Sequence, residues 1–96
     1  MLVLVTYDVN TESEGGKARL RKVAKCCVKY GQMVQYSVFE CVLDEAQYKL
    51  MQHQLLAIID EAKDSLRFYN LGNKYQGKAE HFGAKEGYQA EGVLML

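Results

Sequence analysis

Apolar residues run from Leu2 to Tyr7 at both odd and even positions, which predicts a strand buried on both faces. The run stops at a single acid, Asp8. Val9 to Gly16 then reads as a loop, with Ser13 as the N-cap of a following helix and Glu14 favourable in its first turn. Leu20, Val23, Ala24 and Cys27 recur at spacings of three and four, giving that helix a narrow core face as far as Tyr30, and Gly31 is a suitable stop. Gln32 to Gln35 and Ser37 to Leu43 are two strands of a hairpin turning near Tyr36, or else one long bent strand.

Asp44 is expected to cap a second helix, and Gln47 three residues later completes a capping-box pattern. Tyr48, Met51, Leu55, Ile58, Ile59 and Ala62 form its apolar stripe, which Lys63-Asp64 ends. Ser65 to Leu71 is a further strand with Leu66 and Phe68 on one face. The order β-α-β-β-α-β predicts an α+β, ferredoxin-like domain over residues 1–72. Two helices would cover one face of a four-stranded antiparallel sheet. The other face would carry apolar side chains in the open, and pairing with a second copy is the simplest way to cover it.

Residues 73–96 read as a tail. Lys78 to Phe82 and Gly92 to Leu96 are candidate strands in it, and Val93 to Leu96 should dock on a sheet edge of the same or a neighbouring subunit. No run approaches the roughly 20 apolar residues of a membrane span, and no signal segment opens the chain, so a cytoplasmic protein is expected. Cys26, Cys27 and Cys41 are odd in number and lack a C-x-x-C spacing, which supports neither a zinc site nor a disulfide framework. They read as small apolar filler in a reducing cytosol. His53 and His81 have no clustered ligands.

A formal net charge of zero conceals an asymmetry: residues 1–39 hold six basic and three acidic groups, and the remainder reverses the sign. No acid interrupts the stretch from Gly15 to Phe39, while Lys17, Arg19, Arg21, Lys22, Lys25 and Lys29 fall in one helix. Arg19, Lys22 and Lys29 would share a broad face, with Arg21 and Lys25 on its flank. Phosphates are the natural counterpart of such a face; a merely solvated helix is the alternative. Gly15-Gly16 ahead of the helix is glycine-rich in the manner of a phosphate loop, but no G-x-x-x-x-G-K-[ST] is present. Asp8 at a strand end beside this helix suggests a site for metal and phosphate. Two copies of Asp8 brought together at a two-fold axis suit Mg²⁺, which accepts one or two carboxylates and completes its shell with water and phosphate oxygens. The alternative is a loop acid that satisfies backbone donors.

Thr6-Tyr7-Asp8-Val9, the run Lys17 to Lys22, and Val34-Gln35-Tyr36-Ser37-Val38-Phe39-Glu40 resemble the CRISPR-associated protein 2 family, as does Asp64-Ser65-Leu66-Arg67-Phe68-Tyr69. The tail segment Glu80 to Ala84 resembles one subgroup. The resemblance implies a homodimer completed by exchanged C-terminal strands, with Asp8 and its symmetry mate bracketing one Mg²⁺. It implies metal-dependent endonuclease chemistry on RNA or double-stranded DNA, with Tyr7, Asp8 and Phe39 as catalytic positions. Arg19 and Arg21 match the family's functional basic positions, with Ser37 nearby; Lys22, Lys25 and Ser37 join them as nucleic-acid-binding candidates. The resemblance also implies a non-catalytic role, in which the dimer bridges integrase subunits and supports the duplex to be inserted. A toxin-like messenger-RNA interferase is a third reading. One position departs: family members commonly carry Arg two places before the Gln of the Val-Gln pair, where this chain has Met33.

Overall fold

In the computed structural model, which describes residues 1–74 together with 80, 82 and 83, the chain begins with β1, Leu2–Asp8. Helix α1, Gly16–Tyr30, leads directly into β2, Gly31–Gln35, and a two-residue turn leads to β3, Val38–Val42. Helix α2, Glu45–Ile58, and β4, Ser65–Asn70, complete the order. The four strands form one antiparallel sheet in the order β2-β3-β1-β4. This is the α+β, ferredoxin-like arrangement expected from the hydrophobic pattern. The tail segments expected at 78–82 and 92–96 fall largely or wholly outside the described residues.

Strand alternation fixes the two faces of the sheet. Val3, Val5 and Tyr7 of β1 and Phe39 and Cys41 of β3 point to the helix side and are buried. They meet Val23, Cys26 and Cys27 from α1 and Met51 and Leu55 from α2 in one core. Each large apolar side chain so buried contributes roughly 1.5–3 kcal/mol relative to exposure. The three cysteines are free and buried, as the filler reading expected. Cys26 and Cys27 both face inward, Cys26 towards α2, where its Sγ lies 3.6 Å from Gln54 Oε1. Tyr30 also reaches that amide, donating its hydroxyl hydrogen to Gln54 Oε1 at 2.8 Å.

The opposite face carries Leu4, Thr6 and Asp8, flanked by Val38, Glu40 and Val42 on one side and Ser65, Arg67 and Tyr69 on the other. It is more mixed than the sequence pattern suggested. Val42 is 61% and Tyr69 43% exposed, yet Glu40 and Arg67 share the face. The Arg67 guanidinium lies 6.0 Å from the centre of the Tyr69 ring and donates from Nη1 to its hydroxyl at 3.2 Å.

Four local expectations need correction or refinement. The hairpin turns at Tyr36-Ser37, and Ser37 (φ 63) belongs to the turn rather than to β3. The N-cap of α1 is Gly15 in the left-handed region (φ 76), not Ser13, and no acid lies in the first turn. Gly16 explains why: a Cβ there would run into the backbone of Asn10 and Thr11, so the chain can fold back onto its own loop only through a glycine. The glycine pair thus serves loop closure, and Ser13 Oγ instead donates to the Asn10 carbonyl at 2.7 Å. The capping box at α2 is formed as expected, with Gln47 N–H donating to Asp44 Oδ1 at 2.7 Å and Asp44 N–H to Gln47 Oε1 at 3.0 Å. The helix nevertheless stops at Ile58, and Ala62 is exposed beyond it. Asp60 turns the chain by accepting from the Ala62 amide at 3.0 Å, a local bond that competes with helix continuation.

Candidate active site and nucleic acid interface

Asp8 is the last residue of β1, directly across from Ser65, the first residue of β4. It is exposed and lies on the sheet face that the helices leave open. After it the chain turns inward through buried Val9. The β1–α1 loop and the α2–β4 turn then form the walls of a cleft of about 530 Å³, with Asp8, Asn10, Glu12, Lys63 and Ser65 among its lining.

One side chain ties these walls together, and the sequence had suggested it as a helix breaker and as part of a resembling segment, not as a site residue. Asp64 has a fully buried carboxylate that accepts four hydrogen bonds. Oδ2 takes Arg19 Nε at 2.8 Å and the Asp60 amide at 2.9 Å; Oδ1 takes the Asn10 amide at 3.0 Å and Arg19 Nη2 at 3.1 Å. Arg19 completes its fork on Ser13 Oγ at 2.8 Å and the Glu14 carbonyl at 3.0 Å. The Arg19 hydrogen bonds hold the Asp64 carboxyl far below the ordinary carboxylate range, against the opposing effect of burial, with the Asp60 and Asn10 amides adding to the depression. The signal available in the sequence was an acid placed immediately before a strand, opposite a helix rich in arginine and lysine.

The remaining predicted residues separate into groups. Tyr7 neighbours Asp8 in sequence but points to the helix side, where its ring stacks on Phe39 at 6.3 Å between centroids. Burial, with the nearby Cys27 thiol adding to it and a Ser37 hydrogen bond opposing it, pushes the Tyr7 hydroxyl up to about 12. A phenol so placed keeps its proton at neutral pH. Phe39 has no exposed surface and faces away from Asp8. Ser37 lies in the hairpin turn, its carbonyl accepting from the Tyr7 amide at 3.2 Å.

The basic residues of α1 also divide. Lys22, Lys25 and Lys29 stand at i, i+3 and i+7 and line a furrow of about 520 Å³ against α2, whose floor includes Cys26, Ala57 and Ile58. Arg21 is exposed, and helical spacing turns it away from α2 on the same side as Lys17. Arg19 is therefore not on a broad free face with Lys22 and Lys29; its guanidinium is held within the loop network. Among the described residues no group of three His, Cys, Asp or Glu side chains is placed to hold a metal ion. Asp8 offers one exposed carboxylate per chain, and a hydrated dication shared by two copies is the arrangement its donor set suits.

Residues 1–79 match the family model described as CRISPR associated protein Cas2. This chain belongs to the Cas2 family. It is 56% identical over 96 residues to a CRISPR-associated endoribonuclease Cas2 of Nitratidesulfovibrio vulgaris, covering 100% of this chain and 94% of that protein. It is 57% identical over 96 residues to a CRISPR-associated endonuclease Cas2 of Halalkalibacterium halodurans, with both chains covered completely. The crystal structure of Streptococcus pyogenes Cas2 at pH 6.5 superposes with a TM-score of 0.74 at 57% identity, covering 86% of this chain and 100% of that one. Within the Cas2 frame, Met33 pairs with Phe39 across β2 and β3 and packs against the core from the helix side. The position that departs from the common family pattern is thus on the opposite face from Asp8.

Proposed function

We propose that this Cas2-family chain is a Mg²⁺-dependent endonuclease acting on phosphodiester bonds of RNA or double-stranded DNA, assembled as a homodimer through its open sheet face. The observation that carries this reading is the state of Asp8. It is an exposed carboxylate at the end of β1, on the face that needs a partner. The nearby Asp64, by contrast, is fully engaged in holding the loop. Relatives of equal similarity bear the names endoribonuclease and endonuclease, which supports nuclease chemistry and leaves the choice of nucleic acid open.

Asp8 of each copy would hold the ion. When bound, such an ion supplies a water of lowered pKa and positive charge against the phosphate. The chain's own contributions are distinct. Asp8 provides the anionic ligand, and Arg21, Lys22 and Lys25 hold phosphates along α1, while the Tyr7–Phe39 stack belongs to the core beneath the sheet. β4 stands at a sheet edge, where a C-terminal strand of the same or the second copy would add. The buried free thiols suit a reducing cytoplasm.

A second reading, a duplex-binding scaffold that bridges integrase subunits, is favoured by one observation. The exposed basic residues of α1 are set apart from Asp8, so binding does not require it. The test is cleavage of RNA and of duplex DNA by wild type and Asp8→Asn, with and without Mg²⁺. Metal-dependent cleavage by wild type alone supports the nuclease. Binding without cleavage in both proteins supports the scaffold.

A further inference from the structure

We propose that Arg19 and Asp64 form a positioning pair that holds the loop following Asp8, and that Arg19 does not itself contact nucleic acid. The proposal rests on the nuclease reading of Asp8 and assigns new roles around it.

The geometry is that of a clamp. Asn10 lies two residues after Asp8, and its amide is bound to Asp64 Oδ1 at 3.0 Å. Asp64 lies one residue before Ser65, which faces Asp8 across the β1–β4 register. Asp8 is thereby bracketed: its following loop and its cross-strand neighbour are both fastened to one buried carboxylate. Arg19 reaches that carboxylate from the first turn and a half of α1 through two nitrogens, Nε at 2.8 Å and Nη2 at 3.1 Å. Its other contacts, to Ser13 Oγ and the Glu14 carbonyl, fasten the far end of the same loop. A planar guanidinium satisfies this set of acceptors with fixed angles; an ammonium has no such fork.

Exposure separates Arg19 from its neighbours. Its side chain is 15% exposed and that of Asp64 0%, whereas Arg21, Lys22 and Lys25 are exposed residues. To meet a phosphate, Arg19 would have to give up both of its bonds to a solvent-shielded carboxylate, leaving that charge with the Asn10 and Asp60 amides alone and no cation beside it. Lys17, Arg21 and the three lysines of the furrow carry no such obligation. The basic run of the first helix thus contains two functions: one residue builds the site and the others face outward.

The experiment compares wild type, Arg19→Gln, Asp64→Asn, the double variant, and Arg21→Gln as a phosphate-contact control, all verified as folded at the assay temperature. Three quantities are read: duplex affinity against salt, cleavage with Mg²⁺ titration, and hydrogen exchange of the Asn10 and Asp60 amides. Both clamp variants are expected to lower kcat by between about 10- and 100-fold and to raise the Mg²⁺ midpoint, with KM for the nucleic acid unchanged. The double variant should be no worse than either single one, because the pair acts as a unit. The salt slope should stay at the wild-type value in both, and fall by about 0.9 only in Arg21→Gln.

A phosphate-contact role for Arg19 makes the opposite forecast. Asp64→Asn would then free the guanidinium and tighten binding, while Arg19→Gln would weaken it and reduce the slope; that result overturns the proposal. A kcat loss that merely follows the unfolded fraction also overturns it. If wild type shows no cleavage, the nuclease reading fails by itself. The exchange and binding data then decide the clamp: accelerated exchange at both amides with an unchanged slope upholds it, and unchanged exchange refutes it.

Discussion

Asp8 and Phe39 stand on opposite faces of one sheet: Phe39 pairs with Val5 on the helix side, and Asp8, three positions beyond Val5, faces the open side. Two candidate site residues therefore sit in different physical settings. Phe39→Ala empties a fully buried site and should destabilise the fold by about 3–5 kcal/mol. Its cleavage, corrected for folded fraction in a denaturant titration, should equal that of wild type. A catalytic deficit in fully folded Phe39→Ala would show that the ring reaches the chemistry.

Asp8→Asn should behave in reverse. The substitution keeps size and hydrogen-bonding capacity and replaces an anionic ligand with a neutral carbonyl oxygen, which suits a hard dication poorly. Cleavage should fall to background without rescue by excess Mg²⁺. In thermal melts Mg²⁺ should raise the Tm of wild type and leave the variant nearly unmoved, because only a ligand bound to the native state stabilises it. Equal shifts in the two proteins would place the metal elsewhere.

Nucleic-acid affinity should follow the outward-facing basic residues of α1. Arg21→Ala with Lys22→Ala should weaken binding alike for all sequences and lower the salt slope by about 0.9 for each phosphate contact removed. Asp8→Asn should leave that slope as it is. A double variant binding with wild-type affinity and slope would reduce the helix to a solvated surface.

Acid should loosen the clamp. Asp64 has its carboxyl pKa depressed in the folded chain, so its contribution to stability is present in full above the unfolded value of about 3.9. It is lost as pH falls from there towards the depressed folded value. Denaturant unfolding measured from about pH 5 downward should thus show a smaller loss of stability in Asp64→Asn than in wild type. Tyr7 makes the mirror forecast at the other end. Its folded value is raised to about 12, so its contribution is complete below about pH 10 and disappears as pH rises towards 12. Tyr7→Phe should flatten that alkaline limb.

Self-association should depend on the open face. Val42→Glu with Tyr69→Glu places two charges among side chains that are now exposed and apolar or aromatic. Sedimentation should show a dimer for wild type and a monomer for the double variant. An unchanged dimer would locate the interface elsewhere on the chain.

The fold was legible because apolar spacing changes cleanly from consecutive to helical and back, and because Asp44 and Gln47 signal the start of α2 on their own. Local competition defeated the other boundaries. Ser13 looked like a cap, but Gly15 and Gly16 permit a closer return of the loop than a serine cap allows. The apolar stripe ran on to Ala62, although Asp60 had already turned the backbone. At the site, Asp8 was legible as an acid where a strand ends. Arg19 was identified by charge alone, and charge does not say which way a guanidinium turns. Asp64 was missed because its four donors come from Arg19, Asn10 and Asp60, and only folding brings Arg19 and Asn10, distant in sequence, to the carboxylate.

The three buried cysteines make the chain a reporter of its own opening. Burial pushes the Cys41 thiol up to about 12 and raises Cys26 and Cys27 as well, so the folded molecule presents almost no thiolate to a labelling reagent at neutral pH. Cys26 and Cys27 lie on α1 and Cys41 on β3, so modification of one ahead of the others would reveal which of those layers parts first. Simultaneous modification of all three would mark the domain as a single cooperative unit, readable without introducing any probe.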